Sequence, residues 1–371
     1  MDRPASPDHP ASPDGAGGAR ATLVLVSGSG RSGTSSLAGS LKRLGLHVPQ
    51  PEVEASETNP RGFYEPKWVI DFHKGYLKQL AMHNIDSRPE AVDLVAELLE
   101  TGEPQERLRE WLSGQLEHQR LVVKDPHAFW FAQAWRQVCA DLGVDLKWLT
   151  ALRHPAEVVG SRDIAYLQSQ SEELRLVKET SNVAGWVNAA LLTERAGRAG
   201  AGSAGRAFIR YGDLLADWRD ALGRVGEQLE LEYEGDLSRE VTHPVDEFIE
   251  PSMRKSQLTW DDLRLPGWLQ ETAQEVWDLL GRLVDDPAEE AASQRLEEIH
   301  LGYVDRYRDA VALTFDHTKA EAVLAARRAR EAQRATNQDL RRQLRESEQR
   351  AAEAANREGL LDRLARRGRR D

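Results

Sequence analysis

The stretch ATLVLVSGSGRSGTSSLAGSL, residues 21–41, constrains this chain more than any other. A short unbroken apolar run that stops at glycines reads as a strand buried on both faces of a parallel sheet. The small and hydroxyl-bearing residues that follow read as a helix start. A strand, a glycine-rich turn and a helix N-terminus together place free backbone amides where a phosphate can bind. The same pattern recurs downstream. RLVVKD (120–125), LKWLTALR (146–153) and RAFIRY (206–211) are further strand candidates separated by helical stretches. Strands alternating with helices predict an α/β fold, a central parallel sheet flanked by helices. Arg31, Lys124, Arg153 and Tyr211 then fall at the carboxyl ends of strands, where such sheets bind ligands.

Two common loop types fit the glycines in part. Gly28, Gly30 and Gly33 satisfy the spacing of a dinucleotide fingerprint, which requires a second apolar strand ending in an acid about 20 residues on. That place holds LHVPQPEVEASETNPRG (46–62), polar and broken by prolines. Gly28 and Gly33 also have the spacing of a Walker A loop, but Thr34 stands where its lysine belongs. The loop instead carries a cation earlier, Arg31, followed by Ser32, Gly33, Thr34 and Ser35. This suits one compact phosphate.

At these residues the loop resembles the 5′-phosphosulfate-binding loop of sulfotransferases that use 3′-phosphoadenylyl sulfate (PAPS), in the Golgi-type and bacterial form with Arg rather than Lys. LTALRHPAEVVGSRDIAY (149–166) resembles that family's 3′-phosphate segment, with Arg153 at a strand end and Ser161 about two turns into the next helix. IRYGDLLADW (209–218) resembles its Tyr-Glu-Asp-Leu segment, although Gly212 replaces the usual acid. PSMRKSQLTWDDL (251–263) partly resembles the late Arg-Lys-Gly segment, matching at Arg254 and Lys255 while Ser256 replaces the glycine. The resemblance covers residues 22 to about 263. It implies a P-loop-like phosphate-binding loop and PAPS as sulfuryl donor. By that resemblance Arg31, Ser32, Gly33, Thr34 and Ser35 hold the 5′-phosphate, Arg153, Ser161 and Arg254 the 3′-phosphate, and Tyr211 lies near the adenine.

Sulfuryl transfer needs cations at the leaving phosphate oxygen and a base for the acceptor's proton. No metal is required by this scheme. Arg31 is the stabiliser of the leaving phosphate, and Lys124 matches the family's strand-end lysine near the transferring group; a salt bridge to Asp125 is the competing role. For the base we take Glu65, set in GFYEP among apolar neighbours that disfavour a bare carboxylate. A surface pairing with Arg61 or Lys67 is its bland reading. Cytosolic members of the family use a His two residues after the lysine. Here that place is Pro126, so His127 is the reserve. The expected acceptor is a hydroxyl of a carbohydrate, glycolipid or secondary metabolite. Trp68, Phe72, His73 and Tyr76 fit either an acceptor cleft or a helix packing on the core. A nucleotide-dependent small-molecule kinase and an inactive scaffold on the same fold are the alternatives.

The 371 residues divide into a leader of 1–20, rich in Pro, Ala, Gly and Asp and expected to be disordered, a domain of 21–315, and a charged tail of 316–371. The net charge of −12 argues against nucleic-acid binding, which needs a basic face. The tail reverses the sign, with 15 Lys and Arg against 9 Asp and Glu from His317 onward. Leu340, Leu344 and Leu361 are interrupted by Asn337, Ser347 and Glu358. A coiled coil that mediates self-association and a solvated charged helix both fit. The single cysteine, Cys139, excludes an internal disulfide and reads as helix packing. No apolar run approaches the roughly 20 residues of a membrane span, and residues 1–20 lack the core of a signal peptide, so the expected compartment is the cytoplasm.

Overall fold

The computed structural model describes residues 20–57, 59–167, 171–199, 205–254 and 256–367, without the side chains of 162–167 and 353–367. The leader, apart from Arg20, and Lys255 lie outside the described residues.

Four strands form one sheet: β1 (Thr22–Ser27), β2 (Arg120–Lys124), β3 (Asp145–Leu152) and β4 (Arg206–Arg210). Their order is β2-β1-β3-β4 and every pairing is parallel. The four apolar runs of the sequence are these strands. Between β1 and β2 lie α1 (Thr34–Arg43), α2 (Lys67–Gln79), α3 (Ala91–Leu99) and α4 (Glu103–Ser113). The helix α5 (Ala132–Asp141) joins β2 to β3, while α6 (Pro155–Leu167) and α7 (Glu172–Arg198) join β3 to β4. Beyond β4 come α8 (Tyr211–Ala216), α9 (Trp218–Leu229), α10 (Pro244–Phe248), α11 (Gly267–Asp285), α12 (Glu290–Leu313) and α13 (Phe315–Arg367).

Alternation along β1 divides the core. Leu23 and Leu25 face one layer with Leu121, Val123 and the apolar sides of α2 to α5, whereas Val24 and Val26 face another with Val122, Leu149, α1 and α9. A strand buried on both faces has no polar side to show, which is why its sequence is continuously apolar. Trp68, Phe72 and Tyr76 belong to the first layer, with Trp68 stacked on Trp111 at 4.9 Å. Their helical spacing is core packing. Cys139 is buried there too, and burial pushes its thiol up to about 12.

The chain runs from β1 outward to β2 and then returns to the other side of β1 as β3. The loops after β1 and β3 therefore diverge, and a crevice opens at their carboxyl ends. Compact packing extends to Asp305, and residues from Arg306 form a second unit. Its described side chains are almost all exposed, with ion pairs one turn apart such as Arg327 with Glu331 at 2.9 Å, and with Val323, Leu324, Leu340 and Leu344 in solvent. Among the described residues, no helix is long and apolar enough to cross a membrane.

Candidate active site

The loop after β1 is built on close approach. Gly28 has φ 136°, and a Cβ there would lie 2.5 Å from the Ala151 carbonyl oxygen of β3. Gly33 has φ 86°, and a Cβ there would stand 2.1 Å from the Tyr211 ring. Arg31 lies between them at φ 75°, a left-handed conformation that costs a residue with a side chain roughly 1 kcal/mol or more. The helix α1 follows with no side-chain cap and no acid in its first turn. Its N-terminal amides and partial positive charge are thus open to an anion.

A cavity of about 410 Å³ opens at this point. Arg31, Gly33, Thr34, Ser35, Glu65, Lys124, Arg153, Ser161 and Tyr211 all line it. They arrive from the loop after β1, the start of α1, the segment before α2, the ends of β2 and β3, α6, and the start of α8. Sequence reasoning missed the contributions of Asn59, Phe63, Ser252 and Met253.

The polar groups of the cavity hold one another in place. Arg31 donates from Nε to Ser161 Oγ and from a terminal nitrogen to the Ser161 carbonyl, both at 3.1 Å. The residues expected at two separate phosphates are therefore joined directly. Arg153 is 6% exposed and donates to the Arg31 carbonyl at 3.1 Å, the Ser256 carbonyl at 3.2 Å and Glu157 at 3.0 Å. Its guanidinium sits 5.0 Å from the centre of the Tyr211 ring. Burial raises the pKa of the Tyr211 phenol, whose hydroxyl donates to the Met253 carbonyl at 3.1 Å.

On the β2 side Lys124, almost fully buried, pairs with Glu65 and donates to Ser35 Oγ at 3.3 Å. The pairing expected as its competitor, with Asp125, is not made. Nor does Glu65 pair with Arg61 or Lys67, which bind Glu250 and Asp71. The apolar neighbours of GFYEP are not what meets this carboxylate; an ammonium is.

Three expected site residues sit apart from the cavity lining. Ser32, 1% exposed, lines a separate space of about 10 Å³ with Thr150 and Thr193. Arg254 is bonded to Glu157 through Nε at 3.3 Å and through a terminal nitrogen. His127 turns to Asp125, donating from its backbone N–H at 3.0 Å and from Nδ1 at 2.8 Å. The other Asp125 oxygen accepts from His73 Nδ1 at 2.5 Å, while Trp135 donates to His73 Nε2 at 3.1 Å and so fixes its tautomer. Burial alone would raise the Asp125 pKa. The His127 charge and hydrogen bonds from both imidazoles outweigh it and hold the carboxyl far below its ordinary range.

Fold and site together define an α/β protein with a glycine-rich loop and a cation-lined cavity at the carboxyl edge of a parallel sheet. No protein-family model matches the sequence, and no curated protein matches it. Among solved structures, it is similar to the sulfotransferase domain from the Synechococcus PCC 7002 olefin synthase at 18% identity, covering 70% of this chain and 94% of that one, with a TM-score of 0.39. It is similar also to the sulfotransferase domain from the curacin biosynthetic pathway, at 15% identity over 71% and 98% with a TM-score of 0.38. A third is sulfotransferase STF1 from Mycobacterium tuberculosis H37Rv, at 17% identity over 70% and 77% with a TM-score of 0.36.

Proposed function

We propose that this chain is a sulfotransferase that moves a sulfuryl group from PAPS to a hydroxyl of a carbohydrate, glycolipid or secondary metabolite. What supports the reading is the convergence of Arg31, Arg153 and Ser161 with the open amides of α1 on one cavity, which the Lys124–Glu65 pair also lines. Arg31 and the start of α1, with Gly33, Thr34 and Ser35, suit a 5′-phosphate; Arg153 and Ser161 suit a 3′-phosphate. A kinase would need a cation at position 34, where the loop has a threonine.

The donor supplies a sulfuryl group already activated on phosphate, so the protein's work is positioning and charge stabilisation. In this reading Arg31 would stabilise the oxygen that keeps the electron pair when the sulfur–oxygen bond to phosphate breaks. Lys124 would leave Glu65 for the transferring group. That movement frees the Glu65 carboxylate to take the acceptor's proton as the new sulfur–oxygen bond forms. The products are the sulfate ester and 3′,5′-ADP. A thermal-shift comparison tests the reading, because a ligand bound only by the folded state raises its stability. 3′,5′-ADP should raise the melting temperature more than ADP or ATP at equal concentration; a stronger response to ATP with magnesium would favour the kinase.

A further inference from the structure

Arg254 has no obvious place in the cavity, yet it closes an ion cluster around one that does. Glu157, in the first turn of α6, accepts from Arg153 and from Arg254 at once. Arg153 is buried and lines the cavity, whereas the Arg254 side chain is 47% exposed and does not. The chain around Arg254 is nonetheless tied to the site: Ser252 and Met253 line the cavity, and the Ser256 carbonyl accepts from Arg153. Burial works to raise the Glu157 pKa, but the hydrogen bonds from Arg254 and Arg153 outweigh it and keep the group ionised.

A buried carboxylate beside an anion site both helps and hinders. It fixes the Arg153 guanidinium through Nε, while the terminal nitrogens donate to the Arg31 and Ser256 carbonyls. It also repels any anion that Arg153 would bind. With Arg254 on its other side that charge is balanced: the guanidiniums of Arg31, Arg153 and Arg254 against one carboxylate leave two positive charges, which match a phosphate dianion. We propose that Arg254 is a positioning residue that serves the anion without touching it, by holding Glu157 so that Glu157 can orient Arg153. The inference rests on the reading of this cavity as a nucleotide site and assigns Arg254 a part different from direct phosphate contact.

The test is a double-mutant cycle on the full chain, with calorimetric affinities for 3′,5′-ADP, 5′-AMP and inorganic phosphate. Arg254→Ala should weaken 3′,5′-ADP binding about tenfold while changing 5′-AMP binding little, as expected for one uncompensated charge at the 3′ end. Adding Glu157→Gln to Arg254→Ala should recover most of that loss, because the opposing charge is gone while the amide oxygen still accepts from Arg153 Nε. A double variant as weak as Arg254→Ala alone would overturn the assignment and mean that Arg254 grips the ligand itself. Should the Glu157 variants not fold, Arg254→Lys decides: affinity within about threefold of parent supports charge balance, and a loss equal to that of Arg254→Ala overturns it. A parent that binds 3′,5′-ADP and 5′-AMP alike contradicts the nucleotide reading instead. The rescue is then read on inorganic phosphate, where no rescue, or no binding by the parent, overturns the inference.

Discussion

Lys124 at the end of β2 and Glu65, ahead of α2, form an ion pair inside the cavity, 59 residues apart in sequence. The pair joins a cation suited to a transferring anion with a carboxylate suited to an acceptor proton. His127, three residues beyond Lys124, is committed to Asp125 instead.

Replacing the two candidate bases should therefore have unequal effects. Glu65→Gln removes the proposed proton acceptor and should lower the rate of sulfate transfer, or of slow PAPS hydrolysis, by roughly 10²-fold or more in protein that still binds 3′,5′-ADP. His127→Gln, if it folds, should keep near-parent turnover. The reverse pattern would exchange the roles of the two residues.

The loop should tolerate no side chain at Gly28. An Ala Cβ would meet a backbone carbonyl of β3, which cannot move without disturbing the sheet. Gly28→Ala should cost at least about 2 kcal/mol in a denaturant melt. Gly75, inside α2 with open space around its Cα, is the control, and Gly75→Ala should be neutral or stabilise by up to about 1 kcal/mol. Equal effects at the two positions would mean that the loop is not packed against β3 as described.

The His73–Asp125–His127 cluster sets an acid limit on stability. Burial lowers the His73 pKa below its ordinary 6.5, outweighing the pull of Asp125, so the folded protein holds a neutral ring. His154 and His300 are lowered by burial in the same direction. The unfolded chain takes up protons first, and stability should be full above about pH 6.5 and fall as the pH drops below it. Asp125, also depressed, extends the loss below the ordinary carboxylate range. In His73→Gln the fall between pH 7 and 5 should be shallower; an unchanged slope would show that His73 does not titrate on unfolding.

Much of this architecture was legible because each strand is an apolar run bounded by glycine or a cation, as in ATLVLVSG and RLVVKD. A strand buried on both faces leaves that trace whatever surrounds it. The groups at strand ends, Arg31, Lys124, Arg153 and Tyr211, followed from the same runs. What stayed hidden depends on long-range meetings or single backbone angles. Glu157 and Arg254 are 97 residues apart, and His73 and Asp125 are 52 apart. The Arg153–Glu157 spacing of one helical turn was the only local trace of the charge cluster. Ser32, which belongs to the loop by sequence, follows a residue with positive φ and lines the smaller space rather than the cavity.

The tail should be dispensable for ligand binding. Its described side chains are exposed and the compact unit closes before it. Deleting residues 317–371 should leave the affinity for 3′,5′-ADP within about twofold while changing the oligomeric state if the tail self-associates. Loss of binding in a folded truncation would contradict this.

The central claim is that Arg153 and Ser161 make the cavity a site for a 3′-phosphorylated nucleotide, and affinity for 3′,5′-ADP against 5′-AMP tests it most directly. Arg153 is buried, lines the cavity and donates to the Arg31 and Ser256 carbonyls, and a phosphate that meets a guanidinium forms charge-assisted hydrogen bonds. The parent should bind 3′,5′-ADP at least about tenfold more tightly than 5′-AMP, and Arg153→Ala should abolish the difference. Equal affinity of the parent for the two nucleotides would contradict the claim.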